Sequence, residues 1–377
     1  MKCAPTEENY QAFFKALVDD LLILQQGFQY EGKRYHLINV GMKGDLPYLA
    51  KTGNFDRHWL RAQRKDPSKV TVKNPAKPAG VCWLCNAGMS GCGPFEDFNL
   101  DCEWANSAVP EPWSVRPSAL DLYHDPTCPE RVFRPDIWHN YHGGVGKLFI
   151  ASSLAECLSL VDATSKDSKI EKMNLDLKAW AKKVGNSMPH SGRFCSERIG
   201  LTSYQVQPDA NWSKHDDTRI YHKFLEDWLT QREAEVLRDP VLSRVLWAVR
   251  AINRVFAVLY QGGLWLTQDE AQEAGKLGRH WLRLYAEVAA ISLKAGKLRF
   301  PIVVKHHMLD HHFRDLLAGS QHVWTWNCLA DSVQMDEDFI GHTARLSRRV
   351  SPVSTAFRVI QRYLTRAMKT WLNRGAR

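Results

Sequence analysis

No apolar run in this sequence is long enough to span a bilayer. Where a secretory leader would carry its apolar core, the chain has Met1-Lys2-Cys3-Ala4-Pro5 followed by the acids Glu7 and Glu8. Export and a membrane partner are therefore not expected. Regular cysteine spacing is also missing. Nine cysteines, odd in number and irregularly placed, speak against a disulfide framework and for a reducing compartment. No internal repeat is evident. A phosphate loop is excluded too, because Gly143-Gly144-Val145-Gly146-Lys147 lacks the Walker spacing and its Ser/Thr. Those glycines are expected to permit close helix packing instead.

Acidic residues are absent after Asp338. Arg345, Arg348, Arg349, Arg358, Arg362, Arg366, Lys369, Arg374 and Arg377 follow, and they account for the whole net charge of +9. A basic surface gathered at one end is the electrostatic footprint of a polyanion, since each neutralised phosphate releases a counterion. Arg358, Arg362 and Arg366 recur at helical spacing, with Phe357, Ile360, Leu364, Met368 and Trp371 on the other side. That pattern suits a nucleic-acid backbone, and an acidic protein would serve it equally well.

Strand-like segments are few. The best is Lys33–Gly41, which ends in the turn Lys43-Gly44-Asp45. A helix is predicted before it, capped by Thr6 and stopped at Gly27, and another over 46–55. Residues 57–78 read as a basic, proline-punctuated loop, and 80–135 as irregular structure held by side-chain packing or a metal. Helices are predicted over 145–162, 173–184, 216–237, 240–261, 267–294, 303–318, 333–349 and 352–372. Fourteen tryptophans are expected to act mostly as core anchors.

Five motifs carry chemistry. Asp45 ends a strand, where a carboxylate is held rigidly enough to ligate a divalent cation, although Gly-Asp is also an ordinary turn. Cys82-Trp83-Leu84-Cys85 presents two thiolates to one Zn2+ ion; Cys92, Cys102, His124 and Cys128 are candidates for the rest, and packed free thiols are the alternative. Asp136 and His139 share one face if helical, and can share a hydrogen bond or a metal. His307 and His311 have the four-residue spacing of zinc ligands but lack a zinc protease's glutamate, so polar contacts on a half-buried helix are the favoured reading. Asp336-Glu337-Asp338 opens a helix, as the helix dipole alone would explain.

In order and spacing, these motifs resemble the RNase H-like core of eukaryotic DDE transposases of the Plavaka/CACTA-like type. The similarity spans about residues 10–355. The resemblance implies that Asp45 is the second catalytic acid and that Asp136 and His139 form the D-x-x-H motif, in supporting or strand-positioning roles. It implies that Glu337 is the third acid, with Ala344, Arg345, Arg349 and Ser351 behind it. The implied fold is α+β and predominantly α-helical, a small remnant of an RNase H-like sheet with a large helical insertion. The expected layout is a helix and strand over 1–56, the Cys-containing region over 57–135, the insertion over 136–332 and basic helices over 333–377. The implied chemistry is carboxylate-held Mg2+ acting on DNA. The family's first acid and its strands have no counterpart before Asp45, so an N-terminally incomplete core without independent strand transfer is expected. Its partner would be DNA and its location the nucleus, with a protein partner or a homo-oligomer as further options. The competing expectation is a zinc-stabilised helical interaction module with an acidic protein partner.

Overall fold

The opening helix, α1 (Glu7–Gln26), forms as its pattern predicts. The Thr6 side chain accepts the Asn9 amide, and Gly27, at φ +102°, ends the helix in a conformation that favours glycine. The coordinates, a computed structural model, describe residues 6–61, 80–106, 111–201, 207–212, 215–348 and 350–375. They form two units, Met1–Asp331 and Ser332–Arg377.

The expected strand over 33–41 is divided. β1 (Phe28–Tyr30) and β2 (Lys33–Tyr35) make a short exposed hairpin, and β3 is only Met42–Gly44. The residues between are drawn to the end of α1 instead. The Leu37 amide donates to Leu24 O, and His36 Nδ1 lies 3.0 Å from Gln25 O. Gly41 then turns the chain at φ +138°. After β3 comes α2 (Leu46–Thr52), shorter than expected, then an irregular region containing α3 (Glu103–Asn106). β4 (Phe133–Pro135) lies parallel to β3, with Met42 opposite Phe133 and Gly44 opposite Pro135.

From there the unit is built of helices. α4 (Ile137–Asn140) runs through a π-turn at Tyr141–Val145 into α5 (Gly146–Cys157). Contrary to the expectation from the sequence, one stretch, Ile137–Leu160, is long and apolar enough to cross a membrane; 67% of its most apolar window is buried in protein, as in a core helix. Next are α6 (Lys166–Val184), α7 (Ser196–Ile199), α8 (Asp217–Thr230), α9 (Glu233–Val236) and α10 (Pro240–Gln261). β5 (Trp265–Thr267) leads into α11 (Gln268–Lys294) and α12 (Val304–Gly319), and β6 (Trp324–Trp326) pairs antiparallel with β5.

The chain is thus predominantly helical, with three two-stranded sheets among the described residues. The large core surrounds Phe149, Tyr221, Trp281 and Tyr285, all at most 2% exposed. A second core cluster sits under the Cys-containing region around Trp83, Trp104 and Phe133. α11 and α12 approach closely because Gly278 leaves room for Phe313 and Gly275 for Leu317. The other unit holds α13 (Gln334–Ser347) and α14 (Thr355–Gly375), with Phe339 edge-on to Tyr363 at 5.1 Å.

Candidate metal centre and its carboxylate neighbour

Cys82-Trp83-Leu84-Cys85 folds as a tight knuckle because both sulfurs accept backbone amides, Cys82 Sγ from Leu84 and Cys85 Sγ from Ala87. Trp83 anchors it beneath, stacked on Phe55 and donating Nε1–H to Phe133 O. The knuckle faces α12. Cys82 Sγ lies 3.4 Å from His311 Nε2, Cys85 Sγ 3.1 Å from His307 Nε2, and the two Nε2 atoms are 3.2 Å apart. All four donor atoms fall within 4.8 Å of one another and all four residues are buried, so the cluster could hold a metal ion.

α12 is not the half-buried helix expected: residues 306–313 are buried throughout. Its spacing puts His307 and His311 on one face, and Asp310 points elsewhere, to Arg279 and Arg314 at 2.5 and 2.9 Å. Arg314 continues over the Trp104 ring, and that ring meets His307 edge-on at 4.4 Å. Cys102 lies in this outer layer, accepting from Arg314 at 3.3 Å; neither it nor Cys92, His124 or Cys128 belongs to the four-donor set. Arg57 is buried behind the knuckle and donates to Cys82 O.

The electrostatics favour a cation. Burial opposes ionisation of Cys82, yet hydrogen bonding from Cys85 and the His311 charge hold its thiol well below the usual range. Burial and the Cys82 charge push the Cys85 thiol up. Burial alone would lower His311, but the Cys82 thiolate raises it. A divalent cation would displace the protons of these groups and satisfy all four donors.

On the same α12, Lys305 faces a second group. β3 and β4 run parallel in register, so Asp45 and Asp136 leave the sheet side by side. Each caps the helix that follows. Asp45 Oδ1 accepts the Tyr48 amide, and Asp136 accepts the amides of Trp138 and His139. Asp136 Oδ2 also lies 2.6 Å from His139 Nδ1, the shared hydrogen bond expected of their spacing. Lys305 donates to His139 O; burial lowers its pKa, and Asp136 and Asp45 oppose that shift.

The remaining sequence candidates lie in the other unit. Glu337 is exposed in the first turn of α13, Arg345 is exposed on that helix and Arg348 caps its end, while Arg349 lies outside the described residues. Arg358, Arg362, Arg366 and Lys369 are exposed along α14. The apolar side of α14 is exposed as well, from Phe357 at 69% to Trp371 at 73%. No known protein family, curated protein or solved structure matches the chain.

Proposed function

We propose that this chain is a DNA-binding protein derived from the RNase H-like core of a DDE transposase, fastened by zinc and contacting DNA through its basic C-terminal helix. The observation that carries this reading is the end of the parallel pair. Gly44 lies opposite Pro135, and the residue that follows each strand is an aspartate. Two motifs far apart in sequence, the Gly-Asp turn and the D-x-x-H segment, thereby lie side by side where the parallel pair ends, and this adjacency is what supports the transposase reading.

Zinc is the metal that fits the four-donor cluster. Two thiolates and two imidazoles are its common structural set, and bond lengths of about 2.3 Å to sulfur and about 2.0 Å to nitrogen give tetrahedral edges of about 3.3–3.5 Å for N–N and S–N. The 3.1–3.4 Å separations agree with that figure. The centre joins the knuckle to α12 across more than two hundred residues of sequence, the geometry of a structural staple.

Strand transfer is outside the proposal. A pair of Mg2+ ions needs several carboxylate oxygens directed at one point. Asp136 spends its carboxylate on two amides and His139, which makes it a positioning group and leaves Asp45 as the ligand candidate at this edge. A nuclear location follows from the DNA partner.

The test is a DNA titration over a range of salt with the wild-type chain and with Arg358→Glu, Arg362→Glu and Arg366→Glu combined. We expect affinity to fall steeply with salt in the wild type, and the log–log slope to be shallower by roughly 2 to 3 in the variant, three phosphate contacts having been lost. An unchanged slope would remove α14 from the interface. The exposed apolar side of α14 favours a second reading, a zinc-stabilised module for an acidic protein, and absence of DNA binding by the wild type would select it.

A further inference from the structure

Around the π-turn, the surface carries a patch of bases that the metal centre does not use. His139, Gly143, Gly144, Lys147, His215 and Lys305 are each half-buried, and most of their chain neighbours are buried. The two glycines bring the side chains together. A β-carbon on Gly143 would lie 3.3 Å from the His215 ring, and one on Gly144 would lie 2.6 Å from Lys305 Cδ and 3.2 Å from its Nζ. Adjacent glycines thus seat His215 and Lys305 side by side. His215 also packs edge-on against Trp138 at 4.8 Å and against His139 at 5.8 Å. Lys147, in the first turn of α5, reaches back to Trp212 O at 2.6 Å.

The donors here outnumber their acceptors. Lys147 and Lys305 each give one hydrogen bond to a carbonyl, Trp212 O and His139 O, and an ammonium carries three N–H donors. Among the described residues neither lysine has a carboxylate within ion-pair distance. Asp136 and Asp45 act on Lys305 only at longer range, as Asp217 does on Lys147. His215 Nδ1 is buried with no hydrogen-bond partner. The like charges oppose one another: burial and then the Lys305 charge lower the Lys147 pKa to about 8, and burial followed by Lys147, His139 and Lys305 lowers that of His215 to about 4. A half-buried cluster of this kind is stabilised by an anion with several acceptor oxygens.

We propose that Lys147, Lys305 and His215, seated on the Gly143–Gly144 turn, form a binding site for a phosphoryl group. The lysines donate to its oxygens, His215 lines one wall, and Asp136 steadies His139 beside it. This deepens the DNA reading by supplying a backbone-phosphate site next to Asp45, and it rests on that reading only for the source of the phosphate.

The experiment is calorimetric titration of the full, zinc-loaded chain with two probes, inorganic phosphate and a short thymidine oligonucleotide. It compares wild type, Lys147→Gln, Lys305→Gln, Lys305→Arg and the α14 charge-reversal variant, with zinc content measured for each. We expect at least one probe to bind. Each glutamine variant should weaken it about tenfold or more, Lys305→Arg should retain most of the affinity, and zinc content should be unchanged. Because Lys305 precedes the metal ligands, Lys147→Gln carries the test if Lys305→Gln loses zinc. Phosphate binding that depends on Lys147, without oligonucleotide binding, upholds the site and overturns the DNA reading. Oligonucleotide binding that depends on Lys147 identifies the phosphate as a diester. Oligonucleotide binding that falls in the α14 variant but not in Lys147→Gln, with no phosphate binding, overturns the site and leaves the DNA reading standing. Silence with both probes overturns the site.

Discussion

At the scale of single residues, the metal centre shows how chemistry can be present in a sequence while its pairing is hidden. Cys82–Cys85 and His307–His311 each have a metal-ligand spacing that is weak alone, and nothing between them signals that they meet. Cys92, Cys102, His124 and Cys128 lie nearer in sequence and were the natural candidates, but the chain turns Cys102 to Arg314. What brings the four donors together is the burial of α12, and its packing against α11 depends on tertiary contacts rather than local pattern. Removal of one ligand tests the staple. His307→Ala should lose the metal and lower the melting temperature by about 10 °C or more, since several kcal/mol of metal binding are coupled to folding. Asp331 offers a separate check. Burial raises its pKa to about 6, only partly offset by Arg134 and by the hydrogen bond from Trp326. The folded state holds this proton above the pH at which the unfolded chain releases it, so the group's contribution to stability falls as pH rises from about 4 to about 6. Asp331→Asn should flatten the stability profile across that window, as denaturant unfolding would report; an unchanged profile would show that Asp331 ionises normally.

At the scale of elements, the helices were legible and the sheet was not. α10, α11 and α12 lie within a residue or so of the ranges expected from apolar periodicity, because each buries a wide apolar stripe and is long enough for the period to register. The strands have three residues each, too few for alternation to be read, and the segment after Tyr35 packs on the end of α1, where the Leu37 amide bonds Leu24 O, instead of joining a sheet. Asp136 was legible as a partner of His139 from spacing alone, whereas its place beside Asp45 required the parallel register. The glycines of α11 carry no signal in the sequence pattern, although the helix pair depends on them. A β-carbon at Gly278 would lie 2.3 Å from the Phe313 ring. Gly278→Ala should therefore destabilise the chain by about 1–3 kcal/mol despite alanine's better helix propensity. A neutral or stabilising result in chemical denaturation would mean that α11 and α12 can separate without loss.

For the whole molecule, charge and fold are divided differently. Residues through Asp331 make a large helical unit with a short parallel pair, whereas the short unit from Ser332 onward carries most of the net positive charge, +6 of the +9. That division fits a protein in which one part is a scaffold and the other meets a polyanion, and it places the steep salt dependence expected for DNA on α14. The scaffold reading depends on the four-donor centre being a real metal site, and X-ray absorption at the zinc edge of the purified full-length chain tests this most directly. We expect one zinc per chain, with two sulfur neighbours at about 2.3 Å and two nitrogen neighbours at about 2.0 Å, and loss of that signal in His307→Ala. A chain that purifies without zinc and takes none up, or zinc bound through a different donor set, would contradict the scaffold reading.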